Sequence, residues 1–131
     1  MPLDRHVEAV EQVIAVADRH RRLGRAYHTG LISLRFVAGS SAYLSMMHGR
    51  ETMTIELILM TGTEGGFELL AAHEEALHAL GGRPHWGQVN WLTEETVREL
   101  YPRYDDWQAV RARFDAEGRF TRRVGTPAAA R

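Results

Sequence analysis

The sequence contains no cysteine and no lysine, and each absence removes a class of function. Without cysteine, neither a disulfide framework nor a thiol nucleophile exists. All sixteen basic residues are arginine, so no lysine acts as a base, forms a Schiff base or clamps a phosphate. The longest apolar run, residues 55–60, is interrupted by Glu56 and is far too short to span a bilayer. Charged residues near the N-terminus also break any signal-peptide core. We therefore expect a cytoplasmic protein with no transmembrane segment.

The composition describes one ordinary globular domain. With 131 residues, of which 44% are hydrophobic, the chain is long enough to bury a core. A formal net charge of -1 gives no electrostatic reason to expect nucleic acid as a partner. We predict a single domain over residues 1–124 and a flexible tail over residues 125–131. Met1, followed by a self-contained first helix, suggests an intact start.

Hydrophobic periodicity predicts both helices and strands. Apolar residues at three- and four-residue steps predict helices over residues 4–23 and 65–80, and residues 31–37 and 53–60 have the composition of strands. Residues 42–47 and 86–91 are weaker strand candidates, the former as the middle strand of a meander. Hairpin-length connections favour an antiparallel sheet with helices packed on one face, so the fold class is α+β.

Two short helices are predicted near the C-terminus. Thr93 has the chemistry of an N-cap, and the helix after it must stop at Tyr101 because Pro102 disfavours helical geometry in the preceding residue. Asp105, with Gln108 three residues later, resembles a capping box for a last helix that Gly118 would end. That helix would carry Trp107, Val110 and Phe114 on one face.

Several familiar site motifs are absent. His73 and His78 are five residues apart, which places them roughly 140° apart around a helix, so they do not share a metal ion on one face. We interpret them as polar residues on a solvated helix side. The glycine-rich segment 62–66 lacks the Lys-Ser/Thr of a phosphate loop, and no Gly-x-Ser-x-Gly elbow occurs.

Alternation along the two main strands separates an apolar face from a polar one. Residues 32, 34 and 36 are apolar, as are 55, 57 and 59. Arg35 and Glu56 then stand on the opposite face, where neighbouring strands bring them within ion-pair reach. The alternative is a simple solvated sheet face.

Three segments carry a family resemblance. They are Arg83-Pro84-His85-Trp86-Gly87-Gln88, then Leu100-Tyr101-Pro102-Arg103, then Asp115-Ala116-Glu117-Gly118-Arg119-Phe120. Together they resemble the C-terminal, substrate-side domain of D-arabinono-1,4-lactone oxidases and alditol oxidase-like FAD-linked oxidases. The resemblance covers about residues 30–122. It implies the cap-domain fold of those enzymes, with the flavin bound by a larger domain for which this chain has no room.

The resemblance also implies a site. The family's Glu-x-Arg strand, which faces flavin and substrate, is matched by Arg35 but has Ser33 in place of the glutamate. Glu56 stands where the next strand often carries an inward histidine, and Gln88 replaces the lysine that closes Arg-Pro-His-Trp-Gly-Lys. We take Arg35, Glu56 and Gln88 as catalytic candidates. Ser33, His85 and Trp86 are the substrate-binding candidates, although His85 and Trp86 also fit a purely structural role in anchoring a loop.

Two functions remain open. The first is the substrate-side domain of an FAD-dependent oxidoreductase that acts on CH–OH groups of sugar lactones or alditols, inactive without a separate flavin domain. The second is a non-catalytic binding or assembly domain derived from that family. In either case no cofactor is expected on this chain alone. We expect a homodimer or a complex with a separate FAD-binding subunit, because an isolated copy would otherwise expose an apolar sheet face.

Overall fold

The computed structural model describes residues 1–119, and the predicted tail and the 124 domain boundary lie outside them. The helices are α1 (His6–Arg22), α2 (Gly66–His78), α3 (Glu94–Leu100) and α4 (Tyr104–Phe114), and a single 3₁₀ turn, Leu3–Arg5, precedes α1. Strands β1 (Ile32–Val37) and β2 (Thr52–Leu57) form an antiparallel pair. The predicted α+β class with an antiparallel sheet is confirmed. No helix within residues 1–119 is long and apolar enough to cross a membrane.

The described sheet has two strands, because neither weaker strand candidate forms one. In residues 42–47, the Ser45 amide bonds the Ala42 carbonyl at 3.1 Å, and the Ser45 hydroxyl accepts from the Met47 amide. In residues 86–91, the His85 ring accepts from the Gly87 amide at 3.0 Å. Local bonds of this kind compete with a strand ladder, so both predictions were wrong.

The C-terminal helices confirm one predicted cap and correct the other. The Thr93 hydroxyl accepts from the Thr96 amide, Thr96 bonds back to the Thr93 amide, and α3 ends immediately before Tyr101. Helix α4, however, begins at Tyr104, one residue before the predicted cap. The Asp105 carboxylate binds the Arg98 guanidinium on α3 instead of capping α4, and Gln108 donates to the Tyr104 hydroxyl.

Two clusters of buried side chains organise the core. One joins α3 and α4, and its buried members are Leu92, Val97, Leu100, Tyr101 and Tyr104. The other joins the N-terminus, α1 and β2, and its buried members are Met1, Ala9, Met53 and Leu80. The last turn of α4 lies outside both clusters, and Phe114, predicted to share a helix face with Trp107 and Val110, is 80% exposed.

Helices cover the apolar face of the sheet only on the β2 side. Met53 is 1% exposed, whereas Leu34 and Phe36, on the same face of β1, are 42% and 66% exposed. The start of the outer edge of β2 is also covered, because Met53 bonds Met1 and Leu3 bonds Glu51 through backbone groups. Among residues 1–119, no segment bonds the outer edge of β1, and its apolar face is left exposed.

Candidate functional site

The polar face of the β1–β2 pair brings three of the six predicted site residues together. The register places Ser33 directly opposite Glu56, with Arg35 opposite Thr54. The Arg35 Nη2 donates to Glu56 Oε2 at 3.0 Å, across one diagonal step of the ladder. The predicted ion pair on the face opposite the apolar residues is thus confirmed.

This ion pair is accessible to ligands. The side chains of Arg35 and Glu56 are 69% and 51% exposed, so the pair is solvated and adds little stability. Arg35 uses one of its five N–H donors on Glu56, and Glu56 uses one carboxylate oxygen on Arg35. The remaining N–H groups and carboxylate oxygen can form hydrogen bonds with hydroxyl groups.

The Arg83–Gln88 loop is held by its own residues and by the core. The Trp86 indole N–H donates to the Leu44 carbonyl at 2.8 Å, and its ring packs at 5.2 Å from the Tyr101 ring. His85 accepts from the Gly87 amide through Nδ1, which leaves the ring proton of the neutral form on Nε2. The structure supports the anchoring role for both rings, and their contact with a substrate stays a prediction.

Gln88 has a different status from its neighbours. Its backbone closes a turn with the His85 carbonyl, but its exposed side-chain amide makes no hydrogen bond within residues 1–119. Within the same residues, no hydrogen bond or ion pair joins the loop to the Arg35–Glu56 pair. The strand residues and Gln88 are therefore not brought together by direct polar contacts.

Arg83, which the sequence marked only as part of a motif, binds three backbone carbonyl groups. Its guanidinium donates to the carbonyl oxygens of Leu100, Met46 and His48 at 2.9, 3.2 and 3.0 Å. It also lies 5.0 Å from the centre of the Tyr101 ring. Burial raises the pKa of the Tyr101 phenol to about 12, although the nearby guanidiniums oppose that shift. Arg83 thus ties the loop, α3 and the β1–β2 connection together.

One histidine lies elsewhere than the sequence predicted. His73 is only 1% exposed and faces α1 rather than solvent, so its assignment to a solvated helix side was wrong. Its Nε2 lies 2.8 Å from Nε2 of His28, which requires one ring to donate and the other to accept. Burial, together with the charges of His28, His20 and Arg19, lowers the pKa of His73 to about 4. The apolar helix periodicity around His73 was the signal that could have found this.

A cleft of about 580 Å³ lies between the end of α2 and the end of α3. Its lining includes Arg50, His78, Arg83 and Glu99. Arg50 donates to the Gly81 carbonyl at 2.6 Å, and His78 lies 3.8 Å from the Glu99 carboxylate. Of the residues predicted as catalytic or substrate-binding, none lines this cleft. These arginines serve the framework, and the polar strand face remains the candidate site.

The family model and the sequence relatives of this chain agree with one another. The family model for D-arabinono-1,4-lactone oxidase matches residues 1–125. An L-gulono-1,4-lactone dehydrogenase of Mycobacterium tuberculosis is 37% identical over 97% of this chain and 29% of its own length. An alditol oxidase of Streptomyces is 35% identical over 67% of this chain and 21% of its own length. Mouse L-gulonolactone oxidase is 24% identical over 92% of this chain and 27% of its own length. The chain therefore spans less than a third of the length of these relatives.

Proposed function

The chain belongs to the D-arabinono-1,4-lactone oxidase family, and we propose that it is the substrate-side domain of an FAD-linked oxidoreductase that oxidises CH–OH groups of sugar lactones or alditols. The observation that carries the proposal is the Arg35–Glu56 pair on the exposed polar face of β1 and β2. Arg35 lies on β1, the strand that resembles the family's substrate-facing strand.

The described residues fit a polyol but do not enclose a flavin. Arg35 and Glu56 stand on an open strand surface, which forms one wall of a site rather than a cavity. A flavin ring needs a second wall, and in this proposal a separate domain or chain supplies it. FAD bound there provides the hydride acceptor.

Each residue on the polar face has a defined task. Arg35 orients the substrate by donating its remaining N–H groups to hydroxyl or lactone oxygens. The Glu56 carboxylate accepts the proton of the hydroxyl whose carbon is oxidised, as a general base. Ser33, opposite Glu56, donates a hydrogen bond to a second oxygen. Closure of the second wall excludes water from this face.

The experiment combines the chain with the complementary flavin-containing portion of the Streptomyces alditol oxidase. Dye reduction is measured on a panel of sugar lactones and alditols. We expect turnover with the wild-type chain and a loss of about 10²-fold or more with Glu56→Gln, since a positioned base contributes that much. Glu68→Gln, on the exposed surface of α2, is the matched control and should keep full activity.

Substrate binding is measured separately from activity. NMR shifts of the Arg35 side chain on titration with a sugar lactone test whether this face holds the ligand. An absence of shifts, together with no turnover in any combination, would contradict the proposal.

The second candidate, a non-catalytic assembly domain, has its own supporting observation. Gln88 stands in place of the family's lysine, and its exposed amide cannot supply a positive charge. Retained ligand shifts without turnover for any flavin partner would favour this alternative. The cytoplasmic location expected from the sequence stays a prediction.

A further inference from the structure

The connection between α1 and β1, residues 23–31, is joined to α2 by a pair of histidines. Nε2 of His28 lies 2.8 Å from Nε2 of His73, and the two ring centres are 4.8 Å apart. Within residues 1–119 this is the only side-chain hydrogen bond between the connection and α2. His28 precedes Ile32, the first residue of β1, by a single turn of chain. The pair therefore ties the start of β1 to α2.

The histidine pair carries a cost in its neutral form. A neutral imidazole has one N–H, so the short contact requires one ring to be protonated on Nε2 and the other on Nδ1. The Nδ1 atoms of His28 and His73 are both buried, and neither has a partner in the described part of the chain. One ring thus buries an N–H without an acceptor, which destabilises the fold. Stability alone does not explain the pair.

The surroundings of the pair disfavour positive charge. The groups whose charges act on His73 are Arg19 and His20 on α1 and His28 on the connection, and all of them are cationic when ionised. Among residues 1–119, no carboxylate forms an ion pair with either ring of the pair. Burial lowers the pKa of both rings, and the neighbouring charges help to lower that of His73 to about 4. A proton added here meets no counter-ion.

We propose that the His28–His73 pair is an acid-sensitive latch, which holds the connection against α2 at neutral pH and opens when both rings are protonated. One added proton can be shared, because an imidazolium Nε2–H still donates to a neutral Nε2. With two added protons both Nε2 atoms carry hydrogen, so neither accepts, and two positive charges lie side by side. The latch then opens and loosens the start of β1, the strand that carries Ser33 and Arg35. The latch itself does not rest on the proposed function.

Nitrogen NMR of the imidazole rings tests the closed latch. At neutral pH we expect one ring of the pair to carry its proton on Nε2 and the other on Nδ1. The same tautomer on both rings would overturn the pairing. This measurement uses the wild-type chain, so it does not depend on whether any variant folds.

Amide exchange of Met60 measures the opening, because its N–H donates to the hydroxyl of Thr29, next to His28, at 2.9 Å. Between neutral pH and about pH 4, the protection factor of this amide should fall by about tenfold or more. The logarithm of the opening constant, plotted against pH, should have a slope greater than one, because two protons enter. The Val97 amide, which donates to the Thr93 carbonyl at 2.9 Å in α3, is the control for global unfolding and should stay protected.

A substitution that removes one titrating ring tests the two-proton mechanism. The carboxamide of His28→Gln can donate or accept, so it bonds His73 whether that ring is neutral or charged. The slope of the Met60 opening plot should therefore fall to one or less in this variant. His6→Gln, at the exposed first residue of α1, is the matched control and should keep the wild-type slope.

Three results of the exchange experiment would also overturn the proposal. The first is a Met60 amide whose protection does not fall in acid, and the second is a wild-type slope of one or less. The third is a loss of protection at Met60 and Val97 together, which would mean that acid unfolds the whole domain and opens no separate latch. Activity in the combined assay is read separately at neutral pH, so failure of the latch leaves the proposed function intact.

Discussion

Arg83 and Arg35 both lie in segments that resemble one enzyme family, yet the two sides of the molecule use them in opposite ways. On the helical side, Arg83 is bound to three backbone carbonyls and lies against the buried Tyr101. On the strand side, Arg35 is 69% exposed and has one side-chain partner. The helical side thus holds its guanidinium with groups of the chain itself. The strand side leaves donors, an apolar face and an edge available, as expected of a surface that works only with something outside the chain.

The largest effect should come from removing the helical-side arginine. Arg83→Met deletes three hydrogen bonds from a charged donor and leaves three carbonyl groups without that partner. We expect the free energy of unfolding to fall by about 3 kcal/mol or more. Urea unfolding followed by circular dichroism measures it. Arg35→Met is the matched control and should cost less than about 1 kcal/mol. Equal losses for the two variants would break the comparison.

An intermediate effect should follow pH, because the helical side also buries His73. Its pKa is about 4 in the folded chain and about 6.5 when exposed, so the unfolded chain binds more protons between these values. Stability should therefore rise as pH increases from about 4 to about 6.5, and the protonation penalty is absent above that window. This pKa difference changes the free energy of unfolding by about 3 kcal/mol.

The control for this pH dependence subtracts other titrations. His73→Phe should flatten the plot of stability against pH in the same window. His6→Gln, at the exposed first residue of α1, should leave that plot unchanged. Carboxylates titrate in all three proteins and cancel in the difference. If His73→Phe shows the wild-type slope, the buried imidazole does not govern the dependence.

The smallest effect should appear on the strand side. A double-mutant cycle with Arg35→Ala and Glu56→Ala should give a coupling energy of about 0.5 kcal/mol, because both groups are solvated. High salt should reduce it further. A coupling above about 2 kcal/mol would mean that the pair stabilises the fold, and the contrast with Arg83 would then need revision.

Period-two alternation and local chain chemistry predicted the parts of the fold that depend on neighbouring residues. The ion pair of Arg35 and Glu56 follows from alternation and antiparallel pairing, and both are visible in the sequence. Thr93 and Pro102 act within a few residues, so the limits of α3 were predictable as well. These features need no knowledge of distant contacts.

The errors occur where a side chain has a choice of partners. Asp105 has the right chemistry for an N-cap but binds Arg98 on the neighbouring helix. His85 and Ser45 bond to nearby backbone and prevent strands that hydrophobicity favoured. The meeting of His28 and His73, 45 positions apart, depends on how α2 packs. None of these choices is visible in a single sequence.

The free edge of β1 also changes how Arg35 is understood. A six-residue strand rich in β-branched and aromatic residues, with no proline, is the kind of segment that stacks into fibrils when it is left unpaired. Arg35 is its only charged residue. In a parallel, in-register stack every copy would add a guanidinium directly above the last, and their repulsion would grow with the length of the fibril. The arginine that we assign to substrate binding would thereby also act as a gatekeeper against aggregation.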